Sequence, residues 1–552
     1  MERRAALILL SVVAAGVFLS GLELMITAVA LPSIVVDLSD WTQLRHASWI
    51  INGYLLVYVV AMPLAGRLAD LWGVRRLFLA ALAAFTVGSL LAGLAQTLDQ
   101  LIAARLVQAV GGGTLVPVGT AAASHLFRGH ARPRALGVVG GVTFLGMAAG
   151  PFAGAAILGS FHPATALASL GIPDGPVAAA LADPWRWIFY ANVPIGFSAL
   201  ALGWAASGGW DTPRRTGRLD LPGAALFSLG LASLLAGLTL IDGQLAGRIL
   251  DLTYPPTPLV ALALLLGALA VVRELRRDNP FLDLRLFRIA ALRWAALVSL
   301  LTGYALATAI VGGAVFVDRV LYGGPEQQRV ALGALAGATA VGALGSGLVV
   351  RVVALRWVTV AGLALSLGAL WQMMHWTPAT GIGEAAAWLG LFGLGFGLTV
   401  TPRSTAAIEA VNPLQYGTAS AIVTVARMIG MAVGLAILVA YGSTTIDRLT
   451  GEVYRTPDAY RDYVPSNLRD RPLRDGLVVQ ALETWAAGEA ARILGGLFAV
   501  AGAVTLLAAG PALALGGRHR PQPGSRDVAE ARRVDATGGP DDRADAEPTI
   551  AL

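Results

Sequence analysis

The sequence predicts an all-α polytopic membrane protein, and three observations carry that reading. Apolar blocks of about twenty residues, the length of one bilayer-spanning helix, recur along the 552 residues. Only 13% of residues are charged and 56% are hydrophobic, whereas about a quarter of a soluble domain is charged. The basic residues, all arginine, fall in short loops between the apolar blocks. A net charge of +6 therefore reads as membrane topology and not as nucleic-acid binding. Cysteine is absent, which excludes a disulfide framework and thiol chemistry.

The first block follows "MERRAALILL", a basic start like that of a signal peptide. Its apolar run is too long for one and no small-residue cleavage site follows, so 6–32 reads as a retained helix. Further spans are predicted at 48–67, 77–96, 99–124, 135–158, 187–207, 221–242, 257–273, 294–318, 330–350, 358–376, 384–402, 416–441 and 491–512. Alternate loops are rich in arginine: "ERR", "RLADLWGVRR", "FRGHARPR", "DTPRRTGR", "RELRRDNPFLDLRLFR" and "RVVALR". The opposite set, such as "QTLDQ" and "TPATGIGEA", is poorer. Positive-inside reasoning puts the first set and both termini in the cytoplasm, in the inner membrane of a cell. An even number of spans agrees.

Three stretches lie outside the spans. Residues 159–186 are predicted to be an outer loop, and 513–552, rich in Pro, Gly and charge, a disordered tail. Residues 443–490 are polar with little glycine until "LVVQALETWAAGEAARILGGLF", which is apolar at helical spacing and contains Trp485. That predicts an ordered outer extension, with the last helix starting one to two turns, roughly 10 Å, beyond the membrane.

The loop after the second span reads Gly66-Arg-Leu-Ala-Asp70-Leu-Trp-Gly73-Val-Arg75-Arg76. Physics alone makes it a tight charged turn, with Asp70 free to bond arginines or a helix N-terminus. As a pattern it resembles the signature G-x-L-A-D-x-x-G-x-(R/K)-(R/K) of the major facilitator superfamily. "ARLVQAVGGGTLVP" at 104–117, with Arg105, Gln108 and Gly111, resembles the fourth-helix signature; Ala109 departs from its usual glycine. "GVVGGVTFLGMAAGPFAGA" at 137–155 resembles the fifth-helix signature of exporters, with Ala155 in place of a final glycine. "WRWIFYANVPIG", "LELMITAVALP" and "GTASAIVTVARMIGMAVGLAI" are similar to the fourteen-helix drug:proton antiporter branch.

The resemblance implies the major facilitator fold. Residues 1–207 would form one six-helix half, 208–293 two linker helices with their loops, and 294–512 the second half. Each half would hold inverted three-helix repeats around a central cavity. A second copy of the loop signature would fall at "GSGLVVRVVALRW", which lacks the acid. Within this fold the stripe Gly146, Gly150 and Gly154, with Pro151 beside it, and the stripe Gly333, Gly337 and Gly345 are expected to face each other as a seam between the halves.

Glu23 is the one acid of the first span. It lies about nine residues, or 13 Å, from the outer end, where a charge facing lipid costs several kcal/mol. Two readings follow. It is a proton and substrate site, matching the aspartate of the antiporters' D-x-T-I-V-N-V-A-L-P pattern; or it is pinned in a permanent ion pair by Arg105 or Arg427. Those two arginines are coupling candidates or structural partners. Asn52, Tyr54, Tyr58 and Gln108 are candidate cavity-lining residues. Trp371, His375 and Trp376 are assigned to an interfacial belt.

Lysine is absent, so no G-x-x-x-x-G-K-(S/T) phosphate loop exists, and "VGGGT" lies in an apolar helix. No His/Cys cluster suggests a metal. The expectation is a non-enzyme without cofactor, monomeric, with protons, the bilayer and a small hydrophobic or lipid cargo as its partners. The first reading is proton-coupled multidrug efflux of amphipathic, often cationic compounds. The alternative is export of a native lipid, such as a triacylglyceride or glycolipid, to an acceptor at the outer face; "ASWIINGYLLVYVVAMPLAGRLAD" is similar to mycobacterial triacylglyceride exporters. A non-transporting receptor is disfavoured by the intact signatures.

Overall fold

A computed structural model describes residues 3–38, 44–160, 163, 165, 181–210, 212–241, 253–277, 280–455 and 459–516. Most of 159–186 and of the tail at 513–552 lies outside these residues. Within a bilayer each backbone N–H and C=O must be bonded inside its own segment, so apolar runs become helices. The fourteen long ones are α1 (Arg3–Leu38), α2 (Trp49–Trp72), α3 (Val74–Leu94), α4 (Leu98–Leu126), α5 (Ala131–Ser160), α6 (Pro184–Ala206), α7 (Leu221–Thr239), α8 (Pro256–Arg276), α9 (Ala290–Val315), α10 (Pro325–Val349), α11 (Leu355–Met373), α12 (Ile382–Glu409), α13 (Tyr416–Arg455) and α14 (Gly476–Leu507). Among the described residues, thirteen of them, all but α11, are apolar enough as well as long enough to cross a membrane.

Helices 1–6 and 9–14 pack in the same pattern. In the first half α1 lies on α5, α2 on α4, and α3 on α4 and α6; in the second α9 lies on α13, α10 on α12, and α11 on α12 and α14. The match extends to single residues. Gly21 of α1 abuts the Thr143 carbonyl of α5, and Gly303 of α9 abuts the Arg427 carbonyl of α13. Gly146 and Gly150 touch α1 at Leu22, as Gly430 and Gly434 touch α9 at Tyr304. Gly113 touches Tyr58 in α2 as Gly397 touches Thr339 in α10. In each case the absent side chain lets two backbones approach. The halves meet through α2 on α13 and α5 on α10.

That packing corrects the expected seam. Gly146, Gly150 and Gly154 face Phe18, Leu22 and Ile26 of α1, inside one half. Pro151 lies inside α5 among them. The α5–α10 seam is built instead by Gly137 and Gly141 against Ala340, Ala343, Leu344 and Gly347. Gly333 meets Phe152, while a Cβ at Gly337 or Gly345 would meet nothing. Four-residue spacing sets a helix face but not the neighbour it meets.

The α7–α8 hairpin leans through α7 on α2 and α13. The Asp220 carboxylate joins its two helices through Arg273, 2.6 Å away. At the far end, the α13 helix continues to Arg455. Tyr460, Val464, Leu468, Val478 and Leu482 close a small core over the start of α14, with Trp485 packed against it. Trp376 leaves the predicted interfacial belt: it is buried between Phe316 and Phe498. Trp371 and His375 are exposed.

Candidate functional site

Glu23 is fully buried, and what surrounds it explains how. Its Oε1 accepts a hydrogen bond from the Arg105 guanidinium of α4 and one from the Thr27 hydroxyl at 2.9 Å. Its Oε2 accepts from Asn192 Nδ2 of α6 at 2.8 Å. Every partner is a donor, so the arrangement suits an ionised carboxylate.

Arg105 is fixed in turn. The same Nη1 donates to Gln108 Oε1 at 2.6 Å, Nε donates to the Ile50 carbonyl at 3.3 Å, and the guanidinium lies 3.9 Å over the Tyr54 ring. Gln108 passes the network on to the Ser89 hydroxyl at 2.6 Å. Tyr58 sits next to it, stacked on Tyr54 and hydrogen bonded to Ser20 at 3.1 Å. Thus Glu23, Arg105, Gln108 and Tyr54 form one cluster, with Tyr58 alongside. Asn52 is exposed.

The sequence reading missed Thr27, Ser89 and Asn192. Asn192 stands inside "WRWIFYANVPIG", where it reads as a polar helix start. The preceding residues hold it in place: Trp185 Nε1 donates to Asp37 at 3.1 Å and Arg186 to the Gly93 carbonyl at 3.0 Å. These bonds tie the start of α6 to the ends of α1 and α3.

A second group of residues sits where the arginine-rich loops converge. Gly73 ends α2 with φ +92°, a left-handed conformation that favours glycine. Asp70, just before it, is buried. It reaches across to the other half and accepts from the backbone N–H of Gly417 at 2.8 Å, that of Thr418 at 3.0 Å, and the Thr418 hydroxyl. A carboxylate of one half thus caps the first turn of α13 in the other, where the helix dipole favours negative charge. Gly66 makes the approach possible: a Cβ there would lie 2.5 Å from Ala421 Cβ and 2.6 Å from the Gly417 carbonyl. Tyr416 is held by the His125 ring, centroids 4.8 Å apart, and by Arg132, 5.3 Å from its centroid. The signature loop, Gly66, Asp70, Gly73, Arg75 and Arg76, reads from the sequence as a cytoplasmic gate, but Arg75 and Arg76 line a separate hollow with Arg214.

Arg427, the third coupling candidate, does not join Glu23. It lies beside a cavity between the halves, with its guanidinium 5.6 Å from the Phe144 centroid. Arg403 lines the same cavity. The predicted span stopped at Pro402, but α12 continues to Glu409.

Residues 13–435 match the family model of the Major Facilitator Superfamily. The chain belongs to that superfamily. It is 31% identical over 444 residues to a triacylglyceride transporter of Mycolicibacterium hassiacum, covering 78% of each chain. It is 29% identical over 429 residues to a multidrug resistance protein B homolog of Mycobacterium tuberculosis, covering 75% of this chain and 72% of that one. Among solved structures it resembles the human transporter MFSD10, with a TM-score of 0.56 over 92% of this chain and all of that one. At 16% identity that likeness shows the fold alone. The fold and the transporter family agree with the sequence reading, and the chain is a multi-pass membrane protein.

Proposed function

We propose that this major facilitator is a proton-coupled exporter of amphipathic compounds that works by alternating access, with its arginine-rich face in the cytoplasm. The observation that carries the proposal is the buried carboxylate of Glu23, paired with Arg105 and surrounded only by donors. A proton arriving on Glu23 turns it into a neutral acid that no longer suits three donors at once. Arg105 then loses its counter-charge inside the membrane, and relaxation of that pair is the coupling step. Closure of the arginine-rich face through Asp70 and α13 is one limit of the cycle. Opening it breaks a charged cap and separates Gly66 from Gly417.

Multidrug efflux is the first reading for cargo. Lipid export is the second, and the small core of Tyr460, Val464, Leu468, Val478 and Leu482 over the start of α14 favours it, because a structured rim there can guide an apolar cargo away from the bilayer. The test uses proteoliposomes with an imposed pH gradient. An amphipathic dye and a labelled triacylglyceride are followed with the intact chain and with 446–474 deleted. Gradient-driven movement of either supports proton-coupled export. Selective loss of lipid movement on deletion makes lipid the cargo. No gradient dependence with either contradicts the proposal.

A further inference from the structure

Two cations between the halves are left unused by the proton site, one buried and one half-buried. Arg403 is 1% exposed and donates from Nη1 to the Thr302 hydroxyl at 2.7 Å. Arg427 has a buried Nε with no hydrogen-bond partner. Among the described residues neither forms an ion pair, in contrast to Arg105. Both line one cavity of about 40 Å³ between the halves, together with Thr120, Thr143, Phe144 and Ser404; no carboxylate contributes to its wall.

The aromatic rings set the positions of these cations. Arg403 lies 5.0 Å from the Phe396 centroid and Arg427 5.6 Å from that of Phe144. The two rings meet edge-on at 5.6 Å. Phe144, in the cavity wall, and Phe396 behind it thus form an aromatic pair with one cation beside each ring. Ring faces attract guanidinium groups, yet they cannot neutralise two like charges, one buried and one half-buried. The site lacks an anion. A cavity this small takes a group the size of a carboxylate or the tip of a phosphate, and a guanidinium fork binds either in a bidentate manner.

We propose that Arg403 and Arg427 receive the anionic headgroup of an amphiphilic cargo, a carboxylate or a phosphate. This deepens the transport reading and rests on it, and it places the cargo in a class distinct from neutral lipids and cationic drugs. By the packing that pairs Gly21 with Gly303, and Gly113 with Gly397, the first-half equivalents of Arg427 and Arg403 are the uncharged Thr143 and Gly119.

The test is equilibrium binding to the full chain in maltoside micelles, with no proton gradient, using four ligands with one tail: dodecanoate, dodecyl phosphate, dodecanol and dodecyltrimethylammonium. The expected result is that at least one anion binds about tenfold or more tightly than the alcohol and the ammonium. Arg427→Gln and Arg403→Gln should each remove most of that preference, while Arg427→Lys keeps part of it. Preference for phosphate over carboxylate identifies a phospholipid-like cargo, and the reverse a fatty-acid-like one. Equal binding of all four, preference for the ammonium, or an anion preference unchanged in both glutamine variants overturns the proposal. If a glutamine variant does not fold, the wild-type ranking of headgroups decides. Because no gradient is applied, failure of proton coupling would leave this result untouched.

Discussion

The two halves share one packing plan and use charge in opposite ways. In the first half Glu23 and Arg105 neutralise each other inside a closed hydrogen-bonded cluster. The second half has Ala305 and Leu389 at the equivalent places and no such pair. It carries Arg403 and Arg427 instead, facing the cavity without a carboxylate. The same asymmetry appears at the arginine-rich face. Asp70 caps α13, but Arg351 stands at its equivalent position just after α10, where the matching approach is Gly347 to Pro133 and Arg134 of α5. A duplicated scaffold has thus kept its glycine contacts while its charges diverged. As proposed, one half supplies the proton site and the other the receptor for an anion.

The strongest way to break this comparison is to remove one arginine from each half. Arg105→Met leaves Glu23 buried and unpaired and should destabilise the protein by about 3–5 kcal/mol, read as a fall in thermal midpoint. Arg427→Met removes a charge that has no ion-pair partner among the described residues, so its midpoint should hold or rise. Equal losses in the two variants would erase the distinction. The double variant Glu23→Leu with Arg105→Leu should recover most of the lost stability while lacking gradient-driven export.

A smaller effect concerns the cap between the halves. Asp70→Asn keeps an acceptor but loses the charge at the α13 N-terminus, which is worth about 1 kcal/mol, or roughly fivefold in the population ratio. Distances between spin labels at the Asp70 end of α2 and the Tyr416 end of α13 should lengthen, and the cysteine-free chain gives such labels no background. An unchanged distance distribution would remove Asp70 from the gate. Arg351→Asp, at the equivalent place, should shift the distribution far less.

The smallest effect lies in the linker hairpin, outside both halves. The hydrogen bond from Arg273 holds the Asp220 carboxyl below the usual carboxylate range. Its stabilising contribution is therefore present above the unfolded value near 3.8 and is lost as pH falls through the lower folded value. The difference in thermal midpoint between wild type and Asp220→Asn should be constant at neutral pH and shrink below about pH 4. A difference that grows on acidification would contradict the pairing.

Much of this was legible in the sequence because the signals were single charges in apolar runs. Glu23 and Arg105 stood out, and so did Asp70 in its glycine-bounded turn. Other features depended on long-range packing. Asn192 is one amide at the start of a helix, and nothing local points it at a carboxylate 169 positions away. Arg403 follows Pro402, where an apolar window ends, so a buried arginine looked like a loop residue. The glycines of α5 gave a clear stripe, but α1 and not α10 proved to be its partner.

The central claim is that Glu23 couples transport to protons while the second half holds the cargo. Glu23→Gln tests this most directly when two measurements are made on the same proteoliposomes. One is cargo exchange at equal pH on both sides; the other is cargo accumulation against its gradient under an imposed pH difference. The account predicts that exchange persists within a few-fold of wild type while accumulation is abolished. Accumulation at the wild-type level in Glu23→Gln would contradict it.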